Sequence, residues 1–357
     1  MGVDGHRLSG PAESFLTTWA KGRNFHVVPM TGDASNRRYF RIRFEGPWEA
    51  GSSSVVLMER RAPEGFKASE EKTAPFESAS PGDPFLVIGS FLHGRGLPVP
   101  DVHHWNGDGS LLLLEDLGDE TLAEALGREP SGEHRLRQTA IDLLLAFQRQ
   151  DPEPDAAWLK DRRFSAELYL WEFEHFLEFG SREASGAEFD RVLRLFKEES
   201  AGLAKDLPEV LLHRDYHSRN LMKDGKGRLV MIDFQDMRIG SPLYDLASFL
   251  FDAYRPVPLP LLEELVDDYY ERARKAGILP ESLTPARYRN LLARHGFQRN
   301  LKACGRFFYI DVVKKNPAYL ECVPQTHRNM DFLGNWEPSI ALLWKAVRPL
   351  LKAPAFQ

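Results

Sequence analysis

The run His213-Arg214-Asp215-Tyr216-His217-Ser218-Arg219-Asn220 places an Asn five positions beyond an Asp, and thirteen residues later the apolar stretch Val230-Met231-Ile232 ends in Asp233-Phe234-Gln235. Those residue types at that spacing suit phosphoryl transfer. A carboxylate must orient the attacking hydroxyl and accept its proton, while an amide oxygen and a second carboxylate hold Mg²⁺ against nucleotide phosphates. Asp215 is the candidate catalytic base, and Asn220 and Asp233 are candidate metal ligands, both hard oxygen donors. Read singly, the three are a turn residue, a cap and a strand-end carboxylate. Together, on a loop, a hairpin and a strand, they point to chemistry.

Such a loop needs a scaffold. Ala12–Lys21 has the spacing of a short amphipathic helix carrying Phe15, Leu16 and Trp19. Strands are expected over Phe25–Met30, Arg38–Phe44 and Ser53–Glu59; in the second, Phe40, Ile42 and Phe44 alternate with Tyr39, Arg41 and Arg43. Arg60–Pro84 is charged and rich in Ser, Pro and Glu, which predicts a mobile loop. Asp83 then caps a helix reaching about Gly96, and Val102–Trp105 and Ser110–Leu114 form a hairpin around Asn106-Gly107-Asp108-Gly109. Beyond Glu115 helical periodicity dominates, through Glu133–Gln150, Ser165–Phe179 and Ala187–Asp206, with a β insertion between Val210 and Asp233. The expectation is an α+β, bilobal chain. Residues 1–114 would make a small sheet lobe that binds nucleotide, and residues 115–357 a helical lobe for catalysis and substrate.

Composition sets the outer limits. The 357 residues carry 46 Lys+Arg against 52 Asp+Glu, a net charge of −6, which speaks against a general nucleic-acid binder. At 43% hydrophobic and 27% charged the chain has ample material for a core. No apolar run approaches membrane-spanning length, and Met1–His6 lacks a signal core. The two cysteines, Cys304 and Cys322, suit a reducing compartment. A cytoplasmic protein, monomeric or weakly dimeric, is expected.

The catalytic stretch resembles the aminoglycoside phosphotransferase superfamily, small-molecule kinases with a protein-kinase-like fold. His217 stands where Ser/Thr protein kinases usually carry Lys, Gln235 follows Asp233-Phe234 in place of Gly, and Gly240-Ser241-Pro242-Leu243-Tyr244-Asp245-Leu246-Ala247 is similar to the family's segment after the metal-binding Asp. In that segment Asp245 is expected to open a helix and brace the catalytic loop, with His213 as a second structural support. Within the superfamily, Gly32-Asp33-Ala34-Ser35-Asn36-Arg37-Arg38-Tyr39-Phe40-Arg41, Leu113–Gly118 and Gln298–Lys302 resemble the bacterial anomeric N-acetylmuramate/N-acetylglucosamine kinases of cell-wall recycling. The resemblance implies ATP as co-substrate, Mg²⁺ as cofactor, a sugar C1 hydroxyl as acceptor, and Glu115 and Leu117 as the hinge whose backbone hydrogen-bonds adenine.

One departure bears on the nucleotide. Many kinases pair a third-strand Lys with a Glu on the next helix, yet Val55–Arg61 contains no Lys and Phe85–His93 no Glu. The phosphates would then rest on the Gly32–Arg37 turn, Ser35 and Asn36 included, and on an arginine: Arg37, Arg41, Arg43 or Arg60. For the acceptor, Arg294, Gln298 and Lys302 fall at i, i+4 and i+8, and Arg299 or Lys302 would suit a lactyl carboxylate. Trp158, Tyr169, Trp171, Phe173 and Phe176 could stack on a sugar or fill a core. Two alternatives stay open: an aminoglycoside, choline or homoserine kinase of the same superfamily, and a nucleotide-binding pseudokinase.

Overall fold

The computed structural model describes residues 7–30, 37–46, 53–60, 83–151, 157–159 and 162–353. The Gly32–Asn36 turn and most of the 60–84 loop lie outside them. Helix α1 (Gly10–Ala20) starts at Ser9, whose hydroxyl accepts from the Ala12 N–H, and is followed by β1 (Phe25–Met30), β2 (Arg37–Phe44) and β3 (Ser54–Arg60). Helix α2 (Pro84–His93) begins at Asp83, whose carboxylate accepts from the Phe85 and Leu86 N–H groups; β4 (Val102–Trp105) and β5 (Leu111–Glu115) come next.

These five strands form one antiparallel sheet in the order β1-β2-β3-β5-β4. The period of two sorts its side chains. Phe40, Ile42, Phe44, Val55, Leu57, Leu111 and Leu113 pack against Ala12, Leu16 and Ala20 of α1. Val56, Met58, Leu112 and Leu114 turn to the opposite face and join Phe85, Ile88, Phe91 and Leu92 of α2 in the main core.

The helical lobe holds α3 (Leu122–Arg128), α4 (Glu133–Gln148), α5 (Ala166–Phe179), α6 (Ala187–Leu203), α7 (Leu243–Leu250), α8 (Leu259–Lys275), α9 (Pro285–Lys314), α10 (Val323–Trp336) and α11 (Pro338–Val347). Between α6 and α7 lie two short antiparallel ribbons, β6 (Val210–Leu212) with β9 (Arg238–Gly240) and β7 (Leu221–Lys223) with β8 (Leu229–Met231). α4 and α6 end at Gln148 and Leu203, short of the expected Gln150 and Asp206. The fold is α+β and bilobal, a small antiparallel-sheet lobe beside a larger helical one. Among the described residues no helix is long and apolar enough to cross a membrane.

Among the contacts that hold one lobe against the other, two bear on the site. The Phe85 ring of α2 lies 4.8 Å from Phe234, so the sheet-lobe helix rests on the turn that carries Asp233. Arg41 of β2 donates to both oxygens of Asp116, at 2.7 and 3.0 Å, just beyond the end of β5.

Candidate active site

The two ribbons deliver the catalytic loop. β6 leads into His213, and the chain turns through Arg214 at φ 77. Asp233, at the end of β8, is also left-handed, at φ 61 and ψ 33. For a residue other than glycine such backbone costs about 1–2 kcal/mol and persists only where surrounding bonds impose it. Here they do. The buried Asp245 carboxylate accepts from the His213 N–H at 2.6 Å and the Arg214 N–H at 2.9 Å. Burial pushes its carboxyl up to about 6, opposed by His213 and by those two backbone donors. His213 Nε2 lies 2.9 Å from the Ile232 carbonyl, and the Ile232 N–H donates to the Asn220 carbonyl at 3.0 Å. The base-bearing loop and the strand ending in Asp233 are thereby tied together.

Asp215 projects from this loop with about a third of its side chain (34%) exposed. Its Oδ1 accepts from Arg299 Nη2 at 2.9 Å and from Lys302 Nζ at 3.1 Å, which leaves Oδ2 for a ligand. Enclosure alone would raise the carboxyl, but Lys302, Arg299 and Arg214 prevail and hold it well below the ordinary carboxylate range. The cations have their own anchor. Glu172 of α5, with no exposed surface, accepts from Arg214 at 3.1 Å, Tyr244 Oη at 2.9 Å and Gln298 Nε2 at 2.7 Å, and lies 3.3 Å from Lys302. Burial opposes its charge, yet Lys302, Arg214 and Arg299 bring its carboxyl down to about 2. Arg299 also donates to Tyr244 at 2.7 Å and to Ser248 at 2.9 Å. The result is a charge network around the fully buried Glu172, in which Arg214, Arg299 and Lys302 link it to Asp215.

This network floors a cavity of about 500 Å³, whose walls include Arg37, Trp171, Arg219, Asn220, Asp233, Tyr254, Arg306 and Tyr319. Asn220 donates its amide Nδ2 to the Asp215 carbonyl at 3.0 Å, so its Oδ1 is available to a ligand. Asp233 accepts from Gln235 at 2.8 Å through Oδ1 and keeps Oδ2. Among the described residues no three His, Cys, Asp or Glu side chains converge as a metal cage. An amide oxygen and one carboxylate oxygen on the same cavity fit Mg²⁺, which takes few protein ligands and completes its shell with water and phosphate.

The expected nucleotide and acceptor residues divide. Arg37 reaches the cavity, 3.7 Å from Asp233. Arg41 does not serve there: its donors are spent on Asp116 and, at 3.0 Å, on Asp119. Arg43 is exposed and away from the cavity, and Arg60 pairs with Asp83. Gly32, Ser35 and Asn36 lie outside the described residues. The Glu115 N–H is already donated to the Asp101 carbonyl at 2.8 Å, whereas the Leu117 N–H has no backbone partner among the described residues. On α9, Arg299 and Lys302 flank the base, but Gln298 is fully buried and spent on Glu172, and Arg294 pairs with Glu199 and Asp206 away from the cavity. Of the aromatics, Tyr169, Phe173 and Phe176 are core, Trp158 packs on Phe91, and Trp171 lines the cavity.

Glu172 escaped the sequence reading although it left a signal. With Tyr169, Phe173 and Phe176 it occupies i, i+3, i+4 and i+7, so a carboxylate sits on the apolar stripe of α5. A charge in that position needs buried partners of opposite sign.

A candidate base on a loop that turns through left-handed Arg214, a hairpin-linked pair of oxygen donors and a sheet lobe over a helical one are the features of a kinase. The chain belongs to the phosphotransferase enzyme family, whose model matches residues 26–278, and it is an ATP-dependent small-molecule kinase. It is 30% identical over 342 residues to the N-acetylmuramate/N-acetylglucosamine kinase of Pseudomonas aeruginosa, covering 93% of this chain and 90% of that protein. It is 30% identical over 309 residues to the enzyme of the same name from Neisseria meningitidis, covering 84% of each. In fold it is similar to a choline/ethanolamine kinase family protein from Mesorhizobium loti, with a TM-score of 0.58 at 16% identity over 95% of this chain and 98% of that one. An ADP-bound aminoglycoside phosphotransferase gives 0.55 at 13% identity, over 90% and 98%.

Proposed function

We propose that this kinase transfers the γ-phosphoryl group of ATP to the anomeric C1 hydroxyl of an N-acetylated amino sugar, N-acetylmuramate or N-acetylglucosamine. The observation that carries the acceptor class is the charge around the base. Arg219 of the catalytic loop and Arg299, Lys302 and Arg306 of α9 line the cavity with Asp215, and Arg219 has no carboxylate partner among the described residues. Aminoglycosides and choline are cations and call for carboxylates at that place, whereas a neutral or acidic sugar suits this wall. The names of the relatives at 30% identity point the same way.

In this reading Asp215 orients the acceptor hydroxyl through Oδ2 and takes its proton as the O–P bond forms. A carboxylate held far below its ordinary range is a weak base, so its work is chiefly alignment, as a loose phosphoryl-transfer transition state requires. An anomeric hydroxyl, more acidic than a simple alcohol, needs the least help. Asn220 and Asp233 would hold Mg²⁺, which would neutralise charge on the transferring phosphoryl group. Arg37 would contact nucleotide phosphates, with residues 32–36 beside it, and the Leu117 N–H would contact adenine. The nucleotide lobe then comprises residues 1–114 and the catalytic lobe 115–357.

We further read the protein as cytoplasmic and monomeric or weakly dimeric. Two free, buried cysteines support the first, and large exposed apolar side chains as scattered as Trp105, Leu259 and Leu342 support the second. The deciding experiment is ADP release with N-acetylmuramate, N-acetylglucosamine, kanamycin, choline and homoserine as acceptors. Turnover with the two sugars is expected; turnover confined to the cationic acceptors or homoserine overturns the sugar assignment, and none with any acceptor favours a pseudokinase.

A further inference from the structure

Arg219 has no part in the mechanism above, yet it stands inside the catalytic loop between Asp215 and Asn220 and lines their cavity. Its guanidinium lies 4.0 Å from the Tyr254 ring centroid and 5.6 Å from that of Tyr319. Among the described residues it makes no hydrogen bond and no ion pair. That is unusual company for an arginine: Arg214 and Arg299, in the same cavity wall, spend their donors on carboxylates, a hydroxyl and a phenol.

The arrangement is built. Asp252, 2% exposed, accepts from the Ser218 N–H at 3.0 Å and from the Ser218 hydroxyl through Oδ2, and from the Tyr254 N–H at 2.7 Å through Oδ1. One buried carboxylate therefore fixes both the residue preceding Arg219 and the backbone of Tyr254, whose ring lies beneath the guanidinium. The platform continues from Tyr254 to Phe307 at 5.7 Å and from Phe307 to Tyr319 at 6.0 Å, so it belongs to the helical lobe. Arg37, the sheet-lobe arginine near Asp233, marks the nucleotide side instead.

A guanidinium held over an aromatic ring has its position fixed while its planar fork of N–H donors stays free, the geometry that receives a carboxylate with two parallel bonds. Arg299 and Lys302 are unsuited to that task because Asp215, Glu172 and Tyr244 already occupy them. We infer that Arg219 is the carboxylate-recognition residue of the acceptor pocket, selecting a sugar acid over its neutral counterpart. The inference rests on the sugar-kinase reading. N-acetylmuramate carries an ionised lactyl ether where N-acetylglucosamine has a hydroxyl, so the two sugars differ only by the group that bears the carboxylate.

The test is the ratio of kcat/KM for N-acetylmuramate to that for N-acetylglucosamine, measured on the full chain and on Arg219→Gln and Arg219→Lys. In Arg219→Gln the ratio is expected to fall about ten- to hundredfold, the loss of a charge-assisted bidentate contact, chiefly through KM for the acid. Arg219→Lys should recover part of it, since charge survives and planarity does not. Partial unfolding would lower both sugars together and leave the ratio alone. A ratio within about twofold of the wild type, whether both sugars lose equally because Arg219 serves the nucleotide or neither loses at all, overturns the inference and leaves the sugar-kinase reading intact. Wild-type enzyme inactive on both sugars overturns the functional reading and this inference with it.

Discussion

Lys302 and Asp215 meet at 3.1 Å, and the oxygen they share, Asp215 Oδ1, also accepts from Arg299 at 2.9 Å. The candidate base is thus clamped along one edge by two cations from a single helix, α9, and presents its other oxygen to the cavity. Behind the clamp, Glu172 holds Lys302 and Arg214 from α5. Orientation of the base therefore depends on two helices packed against each other well outside the catalytic loop.

Lys302→Met tests the clamp. Removing the ammonium leaves Arg299 alone on Oδ1 and gives the Asp215 side chain rotational freedom. Misplacing a group that acts by alignment should lower kcat about ten- to hundredfold with little change in ATP affinity. Lys302→Arg should retain more activity than the methionine variant. Steady-state kinetics with equilibrium nucleotide binding separates the two effects; a Met variant with wild-type kcat removes Lys302 from the role.

Glu172→Gln addresses the layer behind. Loss of one charge from a buried, mutually compensated cluster should cost about 3–5 kcal/mol of stability, read as a lower denaturation midpoint. Its pH dependence has a definite sign. The folded carboxyl sits at about 2 against an ordinary 4.5, so its contribution is whole above pH 4.5 and is lost as the pH falls toward 2. The stability gap between wild type and variant should therefore be constant from pH 5 to 8 and narrow in acid. A gap that widens in acid contradicts the assignment.

Asp233→Ala should uncouple nucleotide from metal. Asp233 and Asn220 are the oxygen donors offered to Mg²⁺, and the wild type should bind ATP at least about tenfold more tightly with Mg²⁺ than in EDTA. In the variant that difference should collapse, with affinity in EDTA nearly unchanged. Calorimetric titration in both buffers is sufficient, and an unaltered metal dependence would remove Asp233 as a ligand.

The sheet lobe and the meeting of Asp215, Asn220 and Asp233 at one cavity are legible because each is written locally. Alternation in β2 and β3, the Asn106–Gly109 turn and the Asp83 cap are short-range signals, and the Asp215, Asn220 and Asp233 spacing lies on one loop and hairpin. What the chain concealed is long-range pairing. Arg41 meets Asp116 across 75 positions, Lys302 meets Asp215 across 87 and Gln298 meets Glu172 across 126. No periodicity records which charge a distant charge will find. For that reason Gln298 read as a ligand contact when it is a buried support, and Arg41 read as a phosphate contact when it ties β2 to the segment after β5.

Arg37 and Arg41 of β2 offer the last prediction, since they sit on the same strand face with opposite fates. Arg37 lies half-buried beside Asp233 at the cavity. Burial opposes its charge, but Tyr39 and Asp233 more than offset that and raise its pKa, so it stays cationic where nucleotide phosphates would lie. Arg41 is 7% exposed, and its loss would leave Asp116 with only the Ser54 hydroxyl and the Gly118 N–H. Arg37→Ala should raise KM for ATP about tenfold or more with little effect on the unfolding midpoint. Arg41→Ala should cost about 1–3 kcal/mol of stability and alter KM for ATP much less. The reverse pattern would return the phosphate-binding role to Arg41. A rise in KM shared by both variants would mean that the Arg41–Asp116 tie sets the position of β2, and Arg37 with it, over the nucleotide.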